Sequence, residues 1–289
     1  DVHASGRNAA MLRERMEQPE LQELATESAA ALRSGDLAPF HSTGGLMLGW
    51  GDDDVAAHVP PVKGRALYAP GDGIVDVAAL QQRFLHGCDV RYECEVLGFE
   101  SREDGVRIET SQGVFETEVL VNAAGPWAGE LAGLPLTPRN RTLYVSEPDD
   151  TIDPNWPFVW DPEHGYYLRP ESGGWLLCAC DEEDAEPGDY TEDEAVLPDL
   201  GAKLERFQPG LGDLHVMRGW VGQRTFAPDS LPVIGFDGRS PSLFHVAGLG
   251  GHGVTLSFAV GRLAAEVLLG LRTVPPALDP ARLVPTPTR

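Results

Sequence analysis

Lysine is nearly absent from this chain: Lys63 and Lys203 are the only two in 289 residues, so almost all positive charge is arginine. Positive charge is scarce altogether, with 22 Lys and Arg against 45 Asp and Glu and a net charge of −23. Nucleic acid and anionic membrane surfaces both need a basic face, so both are excluded as partners; small cationic ligands are not. Cysteine is sparse too. Cys88, Cys94, Cys178 and Cys180 show no C-x-x-C spacing and no nearby histidine pair, so no metal site is expected. They read as free thiols of a reducing cytoplasm. No apolar run approaches a membrane span, and there is no signal peptide. An initiator Met is missing as well, and the chain reads as a fragment or a processed piece.

What is present is an ordered series of helix and strand signals. Leu21, Leu24, Ala25, Ser28 and Leu32 recur at helical spacing between Pro19, suited to a first turn, and Gly35, suited to an exit. Asp76 is placed to cap a short helix over Val77 to Leu85. Alternating apolar positions from Asp89 to Glu118, broken by Gly98, Gly105 and Gly113, predict hairpins, and the unbroken run Val119 to Gly125 predicts a central strand. From Leu136 to Pro228 strands dominate, interrupted by one helix opened by the capping-box pattern Thr191-Glu-Asp-Glu194. The acidic run from Asp181 reads as a solvated loop. On the last helix Thr255, Arg262 and Glu266 form the one polar stripe. The expected fold is α/β (α+β): a doubly wound domain over 1–40, 72–136 and 231–289, carrying an inserted antiparallel substrate domain over 41–71 and 137–230.

The densest signal is the passage from Pro241 to Gly270, in which a strand enters a glycine loop and then a helix. Gly248, Gly250, Gly251 and Gly253 allow close backbone approach, and the free N–H groups at Gly253 and Val254 favour an anionic or acceptor-bearing cofactor. As text, Gly248-x-Gly250-x-x-Gly253 matches a dinucleotide fingerprint. The match fails in context, because no second strand with an acidic residue about 20 positions on follows the helix.

Three ordered stretches carry a family resemblance. Ser5-Gly-Arg-Asn-Ala-Ala10, Val119-Leu-Val-Asn-Ala-Ala-Gly-Pro-Trp127, and Leu231-Pro-Val-Ile-Gly235 with Ala247-Gly-Leu-Gly-Gly-His-Gly253 resemble FAD-dependent amine and D-amino acid oxidoreductases over almost the whole chain. Gly165-Tyr-Tyr-Leu-Arg-Pro170 and Arg218-Gly-Trp-Val-Gly-Gln-Arg-Thr-Phe226 are most similar to the D-arginine dehydrogenase branch, although Met11 stands where that branch carries a histidine. The resemblance implies FAD as cofactor, with Ser5, Arg7, Asn8, Ala9, Ala10, Ala123, Ala124, Gly125, Trp127, Gly248, Gly250, Gly251, Gly253 and Val254 around it. It also implies a missing N-terminal strand, G-x-G-x-x-G turn and helix, and hence weak FAD retention by a chain that starts at Asp1.

Arg224 matches the family's carboxylate arginine, Tyr167 is its expected hydrogen-bonding partner with Tyr166 the alternate on the opposite strand face, and Arg141 and His252 complete the candidate catalytic set. The implied reaction oxidises the Cα–N bond of an amino acid or secondary amine by hydride transfer to flavin N5, with oxygen or a quinone as electron acceptor. Two alternatives stay open. One is oxidation of a 2-hydroxy acid with His252 as base; the other is a non-catalytic partner subunit.

Overall fold

In the computed structural model, residues 3–102 and 104–283 are described; the end of the Pro-rich tail, and with it the end of the expected segment 231–289, lies outside them. The chain opens with β1 (Met11–Leu12), α1 (Pro19–Arg33), β2 (Phe40–His41), β3 (Gly45–Asp54), β4 (Arg65–Ala69) and β5 (Gly73–Val75). Then follow α2 (Val77–Leu85), β6 (Val96–Arg102), β7 (Gly105–Thr110), β8 (Gly113–Thr117), β9 (Leu120–Asn122) and α3 (Ala128–Ala132). The second half holds β10 (Thr137–Ser146), β11 (Phe158–Asp161), β12 (Tyr166–Glu171), β13 (Gly174–Cys178), α4 (Val196–Phe207), β14 (Val216–Phe226), β15 (Val233–Asp237), β16 (Ser240–Ala247) and α5 (Gly253–Leu268).

The expected α1 forms, with Pro19 in its first turn, and Asp76 caps α2 by accepting the Ala79 N–H at 2.9 Å. Two expectations need correction. The capping box at Thr191 does not form: α4 starts at Val196 with no side-chain cap, and Asp193 instead accepts the Ala195 N–H at 2.8 Å. The run at Val119 yields a three-residue strand, not a central one. β9 pairs only with β16, and Val121 on it is 41% exposed.

A seven-stranded sheet, in the order β14-β10-β13-β12-β11-β3-β4, organises the site. Side chains alternate across it, so each strand supplies two chemically different faces. One face carries Leu46, Val159, Tyr166, Leu168 and Leu177 against Leu200 and Leu204 of α4 in a closed apolar core. Each such buried side chain contributes about 1.5–3 kcal/mol. The other face carries Arg224, Arg141, Cys178, Tyr167 and Trp160, which the register places in neighbouring rows.

A second core joins α1 to α5 through Leu21, Leu24, Ala25, Leu256, Ala259 and Leu263, over a smaller sheet ordered β15-β16-β9. Beside it lies a buried polar network. His245 is fully buried, and burial lowers its pKa, so it is neutral. The network fixes its tautomer: Nε2–H donates to Asp237 at 3.0 Å and Nδ1 accepts from Asn122 at 3.4 Å. Asn122 also donates to the Ala128 carbonyl at 2.9 Å and accepts the Ala124 N–H at 3.3 Å, shaping the turn 123–127. Asn122→Ala strands these groups, and we expect a loss of about 1–3 kcal/mol in urea unfolding; an unchanged midpoint would remove the network from the stability of the fold.

Candidate functional site

The N-terminal loop crosses the polar face of the large sheet. It is seated at Gly222, where an added methyl would come within 2.5 Å of the Arg7 carbonyl oxygen. Asn8 holds the loop in shape, accepting the Ala10 N–H at 2.8 Å and donating to the Ser5 carbonyl at 2.6 Å, while Ala10 sits at a left-handed φ of 58°. Arg7 pairs with Asp189 at 2.9 Å, and the Ala9 carbonyl accepts from the buried Arg169 Nε at 2.8 Å. These residues therefore build the loop with their polar groups. Ser5 is exposed, and Trp127 meets His3 edge-on at 4.8 Å, which ties the loop to the turn 123–127. In that turn Ala123 is exposed, and Gly125, at φ +55°, has open space where a Cβ would stand.

The glycine loop comes to the same place from the other side. Gly248 and Gly250 pack on the end of β14, with the Gly250 N–H donating to the Thr225 carbonyl at 3.0 Å. Gly251, at φ +84°, lies directly on Arg224: an added Cβ would sit 2.8 Å from its Cδ. No other residue type both adopts this φ easily and leaves room for the guanidinium. Next comes α5, a 16-residue helix whose N-cap, His252, places no side-chain hydrogen bond on the first turn. The opening N–H groups at Gly253 and Val254 thus lack a side-chain acceptor, and beside Gly253 an added Cβ would meet only Leu249, at 3.7 Å. An uncapped helix start lined by small residues suits a cofactor that brings its own acceptors or negative charge. Thr255 is not on a polar stripe: it is 4% exposed and its Oγ1 accepts the Arg13 N–H at 3.2 Å.

Arg224 is half-buried, and its terminal nitrogen lies 3.4 Å from the Tyr167 hydroxyl. Every other Lys or Arg that is not exposed has a carboxylate within 4 Å; Arg224 has none among the described residues. Burial, with a thiol of Cys178 alongside, holds the Tyr167 phenol well above its ordinary pKa, so it keeps its proton as a donor. Tyr166, the alternate, is on the wrong face: its hydroxyl accepts from Gln208 Nε2 at 2.8 Å in the α4 core.

Arg141 is 4% exposed and ion-paired to Glu182, yet its Nε has no partner. Burial opposes its charge, but Cys178, Cys180, Tyr167 and Glu182 more than restore it. The acidic run is consequently more than a solvated loop: Glu182 neutralises Arg141, Asp184 pairs with Arg139 at 2.8 Å, and Asp181 accepts from Thr142. His252 is half-buried; burial first, then the charges of Arg13 and Arg224, lower its pKa to about 4. It is a neutral imidazole at physiological pH.

Three site residues escape a reading of the sequence. Arg13 is buried, with its guanidinium 3.9 Å from the Trp160 ring centroid and an ion pair to Glu17 at 3.1 Å. Cys178 and Cys180 stand on the clamp face beside Tyr167. No motif marks any of them: strand register places the thiols, and a hydrogen bond from its N–H to Thr255 places Arg13. Among the described residues no cluster of three histidine, cysteine or acidic residues could hold a metal ion. No helix among them is long and apolar enough to cross a membrane.

The model of the family described as FAD dependent oxidoreductase (DAO) matches residues 50–267. An uncharacterized oxidoreductase, YurR, from Bacillus subtilis (strain 168) is 30% identical over 178 residues, 58% of this chain and 46% of that protein. A glycine oxidase from Bacillus licheniformis is 26% identical over 241 residues, 76% of this chain and 62% of that one. The chain thus spans less than two thirds of either relative. The crystal structure of L-proline dehydrogenase from P. horikoshii superposes with a TM-score of 0.83 at 22% identity, covering 97% of this chain and 87% of that one, a likeness of fold. These neighbours do not single out the D-arginine dehydrogenase branch. The residues at the start of α5 suit the cofactor that the family model names, and the chain belongs to the FAD dependent oxidoreductase family, with FAD as its cofactor.

Proposed function

We propose that the protein oxidises the Cα–N bond of an amino acid or secondary amine, with Arg224 and Tyr167 holding the substrate carboxylate. The observation that carries this reading is the half-buried Arg224, which has no carboxylate partner among the described residues and lies against Gly251 of the glycine loop, 3.4 Å from the Tyr167 hydroxyl. A guanidinium fork and a phenol donor match a carboxylate and fix the position of the atom attached to it. The relative named as a glycine oxidase supports a small amino acid substrate. When bound, FAD supplies the two-electron acceptor for the hydride leaving Cα.

The chain's own residues set the substrate's protonation state. Arg224 is the cation of the site without a carboxylate partner, since Arg13 and Arg141 are paired to Glu17 and Glu182, and the same burial and charge that hold His252 near pKa 4 disfavour an ammonium on the substrate. A neutral amine, whose lone pair can assist hydride departure, is the form that binds productively. This field also argues against arginine or lysine side chains in the substrate, so we assign a small, uncharged side chain. The hydroxy acid alternative needs a base for the hydroxyl proton, and an imidazole with a pKa of about 4 is a weak one.

Binding of propionate, a carboxylate that cannot be oxidised at a Cα–N bond, tests the clamp without flavin turnover. It is followed through the fluorescence of Trp160 and Trp220, which flank the site. Arg224→Ala is expected to weaken binding by about tenfold to a hundredfold, Tyr167→Phe by several-fold, and Arg224→Lys by an intermediate factor. Equal affinity in Arg224→Ala would sink the clamp.

His252 gives a prediction on pH. Its folded pKa, about 4, lies below the ordinary 6.5, so the unfolded chain takes up the proton first and stability is lost as pH falls from 6.5 towards 4. Asp72 works the other way: burial raises its pKa to about 6, so its contribution is lost as pH rises from 3.8 to 6. Comparing wild type with His252→Asn cancels the Asp72 contribution. The variant should lack an acid-side loss on the order of 2 kcal/mol, measured by urea unfolding at pH 7 and pH 4.5. Parallel curves would mean that His252 titrates normally.

A further inference from the structure

Cys178 and Cys180 lie on the clamp face, and nothing in the reaction described above uses them. Cys178 closes β13 directly between Leu143 of β10 and Tyr167 of β12, and is fully buried. Two residues later the chain bends: Cys180 adopts φ 51°, a left-handed conformation that side-chain-bearing residues rarely occupy, and its N–H donates to Cys178 Sγ at 3.3 Å. The half-buried Cys180 side chain packs on the same cluster as Cys178 and Tyr167. The peptide between them is pinned, because Lys203 Nζ donates to the Ala179 carbonyl at 2.8 Å and to the Gly165 carbonyl at 3.2 Å.

The surroundings make this pair reactive in a directed way. Burial works against a thiolate at Cys178, but a hydrogen bond from the Cys180 thiol, the charges of Arg141 and Arg224, and the Tyr167 hydroxyl outweigh it and bring its pKa below the ordinary value. The Cys180 thiol moves the opposite way, raised by the same coupling. One sulfur is a nucleophile and the other keeps its proton. Tyr167 is the cross-strand neighbour of Cys178 and its hydroxyl lies 3.4 Å from Arg224, so the thiolate stands beside the same pair of groups that a substrate carboxylate would engage.

We propose that Cys178 and Cys180 form an oxidisable dithiol built into the carboxylate clamp, and that its closure to a disulfide by a hydroperoxide frees Tyr167 and Arg224 for the substrate carboxylate. The Cys178 thiolate attacks one oxygen of hydrogen peroxide; an S–O bond forms, the O–O bond breaks, and the leaving hydroxide takes a proton to become water. Cys180 sulfur then attacks the sulfenic sulfur, the S–S bond forms, the S–O bond breaks, and the second hydroxide leaves as water with the Cys180 proton. Two thiols lose two electrons and the peroxide becomes two waters; an external dithiol returns the electrons. Oxidation removes the competing anion from beside Arg224, so the oxidised protein binds carboxylates more tightly. The consequence for binding rests on the clamp assigned to Arg224, whereas the chemistry of the pair does not.

The full chain is treated with hydrogen peroxide, digested under non-reducing conditions and weighed. The peptide holding residues 178–180 should lose 2 hydrogen masses, as read by mass spectrometry, reversibly with dithiothreitol. Cys178→Ser should abolish the change, Cys180→Ser should stop at the sulfenic acid, and Cys88→Ser with Cys94→Ser should leave it intact. Propionate titration of the same samples should show several-fold tighter binding after oxidation. Oxidation of the exposed Cys88 without closure of the 178–180 pair would overturn the dithiol. Closure with unchanged or weaker propionate affinity would overturn its link to the clamp. If propionate binds neither form, the clamp itself has failed and the link with it, while the mass change still decides the dithiol.

Discussion

The contact between Arg224 and Gly251 is the constraint on which the site depends. It joins two parts of the chain that belong to different sheets and helices: a strand of the large sheet and the loop that launches α5. Any side chain at 251 would displace the guanidinium, and any other backbone conformation there would turn the helix start away from it. The backbones on both sides are held, α5 by its apolar packing on α1 and β14 by its long pairing with β10. The Arg224 guanidinium and the uncapped start of α5 are therefore brought side by side. That is the preorganisation the proposed hydride transfer would need, since little of the binding energy is then lost in ordering the site.

The charges follow from the same arrangement. Alternation along β10, β12, β13 and β14 sends Arg141, Tyr167, Cys178 and Arg224 to one face and the α4 core to the other. Buried cations are costly unless they are paired, and the chain pairs them unevenly: Arg141 with Glu182, Arg169 with Glu171, Arg13 with Glu17 and the Trp160 ring, Arg224 with no carboxylate. The unpaired one is the one placed to receive an anion from outside. A neutral His252 nearby keeps the site from gaining a further positive charge of its own.

Much of this was legible in the sequence, for reasons that can be named. Helices with a clear apolar spacing, such as α1 and α5, and glycines with a demanding backbone geometry, such as Gly251, leave local marks that survive without tertiary information. Arg224 and Tyr167 were reached through resemblance, and the structure brings them together. Alternation said that Tyr166 and Tyr167 point apart; only the packing of α4 says which faces the clamp. The run at Val119 misled because continuous apolarity reads as burial on both faces, yet β9 has a neighbour on one side only among the described residues. The capping box at Thr191 misled because Asp193 accepts the Ala195 N–H instead and α4 starts only at Val196. Arg13 and the thiols carry no local signal at all. Their place is set by a hydrogen bond to Thr255 and by cross-strand register, both of which join residues far apart in sequence.

The strongly acidic surface and the cationic site act on substrates at different ranges. A net charge of −23 repels anions approaching through solvent, although salt confines that repulsion to about 8 Å at physiological ionic strength. Inside the site the balance shifts, because Arg224 has no carboxylate partner among the described residues and, with Arg13, holds the His252 pKa down. A dicarboxylate would meet the outer repulsion in full and a cationic amino acid the inner one. In the reaction we propose, a zwitterion of zero net charge would meet neither before its carboxylate reached Arg224, and it would give up its ammonium proton beside the charges that keep His252 neutral. A small neutral amino acid is thus the substrate that, under this proposal, the outer and inner charges oppose least.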